Sequence, residues 1–293
     1  MACSRDGSER GLPRLESALG MATDGHLLCA RATDGSAHCA QLGLDGAETT
    51  ADVRMQRVEG AVGVSQVAVA AGRACFLGHD RRVRCGAFGE RAARVTGVEG
   101  VTHLVASAAA FFARTRDGHL AWWSAGGSGA GEVRAFVPAI TDARVVAARG
   151  ERVCVSRGEA SRLTCWRSAA FGSADAAERG AAGSTREWVY ASEVRDVRVL
   201  GLMNDGGCAL TGSALICWGP EAPVTVGPVP ASGAVRCGAR HCCVSSPGSV
   251  TACLGQPPLD PNTEPPAPHQ DERWVLWPLE SRAAAGVEHA AGP

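Results

Sequence analysis

Thirteen cysteines in a chain of 293 residues are the side chains with the clearest chemical potential here. At this density they are disulfides, metal ligands or reduced packing groups. Ten fall into five evenly spaced pairs: Cys29 and Cys39, Cys75 and Cys85, Cys154 and Cys165, Cys208 and Cys217, Cys243 and Cys253. The cluster CGARHCC over 237–243 brings Cys237, His241, Cys242 and Cys243 together, which are the ligand types of zinc. It lacks a two-pair spacing and Cys243 already belongs to Cys253. A bridge between Cys237 and Cys242 is therefore the favoured use, and neither metal nor cofactor is expected.

Signals for catalysis are thin. Gly126-Gly127-Ser128-Gly129-Ala130 approaches the nucleophile elbow, but Ala stands where the last Gly is needed. Asp24, Asp34 and Asp117 precede glycine, as in calcium loops or the Asp boxes of sialidases, but Asp-Gly also simply makes turns. The eight histidines show no HExxH spacing, and the one tyrosine, Tyr190, has no recognisable context. Every basic residue is arginine, which removes both the P-loop and Schiff-base lysine chemistry. Arg81, Arg82, Arg84, Arg91 and Arg94 form a local basic cluster, fit either to hold an acidic protein partner or to guard a strand edge from pairing. With a net charge of −1, the chain has no excess to hold a nucleic acid or an anionic membrane. No apolar run is long enough to span a bilayer or to serve as a signal peptide.

The cysteine pairs bracket a repeated element. Segments 29–39, 75–85, 112–122, 154–165, 208–217 and 243–253 are each two short alternating runs around a turn, with Phe112 and Trp122 replacing the cysteines in the third. Their mean spacing is about 43 residues, in the range of propeller blades. Thr33-Asp34-Gly35 and Arg116-Asp117-Gly118 read as three-residue loops with glycine in the left-handed position, which sets Cys29 opposite Cys39 and Phe112 opposite Trp122. A two-residue Gly212-Ser213 turn opposes Cys208 to Cys217, and a four-residue loop around Glu159-Ala160 opposes Cys154 to Cys165. Loop length and bracket spacing thus change together, which chance cysteines would not do. The second turn puts Arg81 where glycine is favoured and should be strained. Directly opposed cysteines permit disulfides, and reduced small packing residues are the alternative.

Val-rich runs at 64–72, 101–108, 143–150 and 197–203 read as inner strands, and weaker runs at 54–60, 91–97 and 133–139 as outer strands placed before them. The resulting expectation is an all-β chain, a β-propeller of about six (alternatively seven) four-stranded blades. Residues 1–25 are an N-terminal tail, 26–256 the propeller, 257–272 a Pro-rich extended connector and 281–293 a C-terminal tail. The first hairpin then lacks its upstream outer strand, which 273–280 would supply, closing the ring. Trp122, Trp123, Trp166 and Trp218 end hairpins and should pack between blades.

The unit VAVAAGRAC at 67–75, with CALTGSALICWG at 208–219, LTCWR at 163–167, RDGHLAWW at 116–123 and Gln41-Leu42-Gly43, resembles the repeat of the regulator-of-chromosome-condensation propeller family, particularly a bacterial form with one cysteine pair per blade. Known members act on chromatin, as exchange factors for a small GTPase, or as protein binders. The resemblance implies a non-catalytic scaffold for an as yet unknown protein partner. Paired cysteines favour an extracytoplasmic location, with cytoplasmic residence as the alternative. Cys3 follows Ala2 as at a lipoprotein cleavage site, so a lipid anchor there would require a start assigned too late. A guanine-nucleotide-exchange-like regulator and a glycan-binding or glycan-cleaving propeller are the alternative functions.

Overall fold

The computed structural model of the chain describes residues 18–42, 55–126, 135–136, 140–159, 161–167, 194–204, 206–212, 214–219, 224–228, 233–238, 241–246, 249–255 and 275–277. Cys3, Ser128, Tyr190 and the Pro-rich connector lie outside them. All regular structure among them is strand: β1 (Ala18–Thr23), β2 (Leu27–Ala32), β3 (Ala37–Gln41), β4 (Gln56–Arg57), β5 (Val64–Ala70), β6 (Arg73–Gly78), β7 (Val83–Ala87), β8 (Ala93–Arg94), β9 (Val101–Ala106), β10 (Ala110–Thr115), β11 (Leu120–Ser124), β12 (Ala135–Phe136), β13 (Ala143–Arg149), β14 (Arg152–Arg157), β15 (Arg162–Arg167), β16 (Val197–Leu202), β17 (Gly207–Thr211), β18 (Ala214–Trp218), β19 (Val224–Pro228), β20 (Ala234–Cys237), β21 (His241–Ser246), β22 (Ser249–Gly255) and β23 (Val275–Trp277). These make six antiparallel sheets in chain order: β1–β4, β5–β8, β9–β12, β13–β15, β16–β19 and β20–β23.

The six hairpins form with the register that their turns dictate. Cys29 pairs with Cys39, Cys75 with Cys85, Phe112 with Trp122, Cys154 with Cys165, Cys208 with Cys217 and Cys243 with Cys253. The phase of the repeat differs from the sequence reading. Each weak outer strand belongs to the hairpin before it: β4 pairs with β3, β8 with β7 and β12 with β11. The cause is crowding. The first strands of successive sheets pack against one another, so the fourth strand fits only on the far edge of the sheet. The first sheet is then complete without help from the C-terminus, and its first strand is Ala18–Thr23, inside the segment read as a tail. Segment 273–280 accordingly does not close the first sheet. Its Val275–Trp277 pairs with β22, finishing the sixth sheet.

Alternation puts apolar side chains on both faces of the sheets, and these layers fill the wedges between them. Leu27 and Phe76 meet between sheets one and two, Leu77, Phe111 and Trp123 between two and three, and Phe112, Trp122 and Ile140 between three and four. Leu163, Leu200 and Trp218 fill the next wedge, and Met203, Leu210 and Val244 the one after. Trp123 stacks on Phe111 with ring centroids 5.8 Å apart. Each such side chain stabilises the fold by roughly 1.5 to 3 kcal/mol through burial.

A recurring backbone clasp joins the first four sheets. The left-handed residue of a hairpin turn offers its carbonyl to the first residue of the next sheet: Val64 N to Gly35 O at 2.8 Å, Val101 N to Arg81 O at 3.1 Å, Ala143 N to Gly118 O at 2.9 Å. The residue just before that strand accepts from its own sheet's turn, as His79 N to Gly63 O at 2.8 Å and Arg116 N to Gly100 O at 2.9 Å. Gly35 and Gly118 take φ of 77° and 82°, and Arg81 is forced to 60° in the equivalent place. A side chain in that region costs about 1 to 2 kcal/mol. Since the clasp is made by backbone atoms, Arg81→Gly keeps it and should stabilise the protein by about 1 kcal/mol, read as a higher urea midpoint. An unchanged or lower midpoint would show that the turn is unstrained.

Candidate functional site

The arginine cluster lies on the second sheet and its exit loop. Asp80, in the turn, receives Arg84 Nη2 at 2.7 Å and the backbone N–H of Arg82 at 3.1 Å. The Arg84 hydrogen bond outweighs partial burial and holds the Asp80 carboxyl below its ordinary range. Arg94 pairs with Glu99 at 2.7 Å and Arg91 with Glu59 at 3.4 Å, all four side chains being largely exposed. Three of the five arginines are thus answered by carboxylates from their own neighbourhood, each pair contributing under about 1 kcal/mol. Arg81 and Arg82 stand exposed at the tip, fixed by the turn described above and by the Cys75–Cys85 disulfide across the same hairpin.

Disulfides also join Cys29 to Cys39, Cys154 to Cys165, Cys208 to Cys217 and Cys237 to Cys242. Cys243 is disulfide-bonded as well and stands in register with Cys253. With Cys237, Cys242 and Cys243 all oxidised, the 237–243 cluster has no thiolate to offer zinc. The Cys237–Cys242 bridge differs from the others in joining the first and second strands of a sheet. Arg149, from the fourth sheet, donates to Cys237 O at 3.0 Å.

Residue types for nucleophilic catalysis do meet in the first hairpin, in the wrong order. Ser36 Oγ donates to Asp34 Oδ1 at 2.6 Å and lies 2.9 Å from His38 Nε2. In a working triad the carboxylate orients the histidine and the histidine takes the serine proton. Here the carboxylate binds the hydroxyl itself, Ser36 is buried, and Asp34 also caps the backbone N–H of Ser36 at 2.8 Å. The set braces a turn. Asp24 does the same more widely: its carboxylate accepts from His26 N at 2.9 Å, Leu27 N at 2.8 Å and Gly72 N of the second sheet at 2.7 Å. Burial would raise the Asp24 pKa, but these three donors together lower it. The Asp-Gly pairs therefore make turns, and Asp24 additionally ties two sheets together.

A second polar belt crosses the first strands. Gln66 of β5 receives Leu104 N at 2.8 Å and its amide approaches His103 Nδ1 and Thr102 O, each at 3.4 Å. Arg114 donates to Thr102 Oγ1 at 2.9 Å and to the carbonyl of Arg144 on the fourth sheet. Burial, aided by the Arg114 charge, lowers the His103 pKa below its ordinary 6.5. The folded protein therefore refuses a proton that the unfolded chain accepts. Stability should be fully present above about pH 6.5 and fall as the pH drops below it, by at most about 1.4 kcal/mol per unit. His103→Gln should flatten that limb of a denaturation profile, and an unaltered slope would exclude His103 as its source.

No protein-family profile matches the chain, and no curated protein matches it. Solved structures do. A human protein, WBSCR16, superposes with a TM-score of 0.56 at 13% identity, over 80% of this chain and 75% of that one. The ectodomain of the Physcomitrella patens receptor kinase CR4 gives 0.52 at 14% identity, over 81% of this chain and 61% of that one, so this chain spans less than two thirds of the CR4 ectodomain. Yeast RCC1 (Prp20), solved with Kap60 bound, gives 0.49 at 13% identity, over 76% of this chain and 65% of that one. At these identities the likeness is one of fold. Taken with the antiparallel sheets and the hairpin repeat, the likeness to the two structures at 0.56 and 0.52 shows that the chain has a β-propeller fold.

Proposed function

We propose that this propeller is a non-catalytic, exported or surface-attached scaffold that holds an acidic protein partner through the tip of its second hairpin. The observation that carries the reading is the placing of Arg81 and Arg82. They are exposed on a turn that is fixed on one side by Asp80 and on the other by the clasp to Val101. The backbone of this turn is held before it meets a partner, so presenting the two guanidiniums costs little loop ordering on binding. The disulfides support residence outside the reducing cytoplasm. No helix among the described residues is long and apolar enough to cross a membrane.

Photo-cross-linking from position 82 in native cells, with and without Arg81→Glu, tests the surface. A discrete adduct that disappears on charge reversal and weakens with salt is expected. An adduct indifferent to both would remove this tip as the docking point. Intact mass after alkylation of protein from its own cells tests the location. Cysteines that resist alkylation until reduced support export. Immediate reaction of all thirteen would favour an intracellular exchange-like regulator.

A further inference from the structure

In three sheets the residue that follows the bracketing position of the third strand is tryptophan. Each turns towards the preceding sheet: Trp123 into the layer between sheets two and three, Trp166 against that between three and four, and Trp218 into that between four and five. In the second sheet the residue after Cys85 is Gly86. The wedge that this position faces, between sheets one and two, contains a cleft of about 190 Å³. Its floor is Leu27, Ala74 and Phe76, all buried. Its exposed rim carries Arg57, Glu59, Glu90 and Arg91.

The backbone does not require glycine at 86. Gly86 is absent from the residues with positive φ, and a Cβ added there would come no nearer than 3.4 Å to Arg91 O and Ala92 Cα, which is ordinary contact. What glycine supplies is an unfilled place. Phe88, two residues on, packs only partly buried against this layer. The cleft is open and mixed in lining, apolar at its floor and polar at its rim, with volume for one aromatic ring.

We propose that this cleft receives an aromatic side chain carried on an extended segment of the partner polypeptide, so that binding completes the layer that Trp123, Trp166 and Trp218 complete elsewhere. The site rests on the scaffold reading above and adjoins its surface, since Arg91 belongs to both the arginine cluster and the rim. The rim offers both signs of charge, with Arg91 3.4 Å from Glu59, suiting the polar flanks and amides of a peptide around one apolar anchor. The chain's own segment 43–54, which leads into β4 beside the cleft, contains no aromatic residue.

The test uses the whole protein and two probes: N-acetyl-tryptophanamide, and a blocked five-residue Ala/Ser peptide with a central Trp, with its Trp→Ala counterpart as control. Expected are saturable shifts of the Ala74, Gly86 and Phe88 amide resonances by the Trp peptide, at about millimolar concentration, and none with the control. Gly86→Trp should weaken binding by about tenfold or more without lowering the denaturation midpoint. Gly86→Leu serves should the tryptophan variant fail to fold. Equal binding by wild type and either folded variant would overturn the proposal, as would shifts confined to other residues. Binding of the free amide without the peptide would also overturn it, leaving a small-molecule niche in place of a docking site. Loss of cleft binding with the position-82 adduct intact falls on this proposal alone. The reverse falls on the scaffold surface.

Discussion

Treatment with dithiothreitol in otherwise native buffer should strip hydrogen-exchange protection from the disulfide-bonded hairpins and spare the third for longest. Each hairpin bridge closes a small ring and contributes roughly 2 to 3 kcal/mol on a chain-entropy estimate. The third hairpin holds the same cross-strand place with Phe112 and Trp122, both buried, and has no bond to lose. Reduction therefore removes support sheet by sheet, an effect that stays largely local because the packing layers lie between sheets adjacent in the chain. Cys75→Ala with Cys85→Ala isolates one bridge. We expect it to cost about 2 to 3 kcal/mol in denaturation, with faster exchange over 73–87 and little change over 110–124. Uniform loss of protection across all six hairpins, or none, would mean that the bridges do not carry hairpin stability.

The second large effect is expected at Gly118. Its φ of 82° lies in the left-handed region, and a Cβ there would sit 2.8 Å from Thr141 O and 3.3 Å from Asp142 Cα. Those atoms belong to the segment that enters β13, whose first residue donates its amide to Gly118 O. Gly118→Ala thus adds backbone strain of about 1 to 2 kcal/mol and pushes apart the clasp that joins the third and fourth sheets. A total loss of about 2 to 4 kcal/mol is expected, with faster amide exchange at Ala143. Gly212→Ala, where an added Cβ meets nothing within 4 Å, is the control and should be mild. Equal effects at both would show that the contact with Thr141 is relieved at no cost.

The contrast between Arg81 and Gly118 shows which parts of the design are written locally. Both occupy the same turn place and make the same clasp. The sequence already marks the arginine as misplaced there, because a three-residue loop that opposes its bracketing residues needs a left-handed residue at that point whatever surrounds it. The same holds for the cysteine registers and for the turn roles of Asp24 and Asp34. The candidate partner surface was legible only as a run of arginines. Arg84 with Asp80 and Arg94 with Glu99 are pairs of near neighbours in the chain, whereas the meeting of Arg91 with Glu59 depends on two separate loops converging. The Gly86 cleft was nearly legible, since LTCWR and LICWG read beside VRCGA show glycine where those hairpins carry tryptophan. What no alignment of the hairpins tells is which sheet that place faces.

Alone, the sequence determined the six hairpins of the described residues, the turns of the first five, the opposed cysteines, and the all-β class. Loop length, a left-handed glycine and period-two alternation act over about ten residues, and those are the interactions that hold a hairpin in register. Tertiary structure decided the ownership of the weak outer strands, the completion of the first sheet by Ala18–Thr23, and the pairing of Val275–Trp277 with β22. It also decided the contacts that cross between sheets, such as Asp24 with Gly72 and Arg149 with Cys237, 48 and 88 residues apart in the chain. A short, weakly patterned strand can pair equally well with the element before it or after it. The choice falls to the packing of the first strands against one another, which leaves a free edge only at the outer rim.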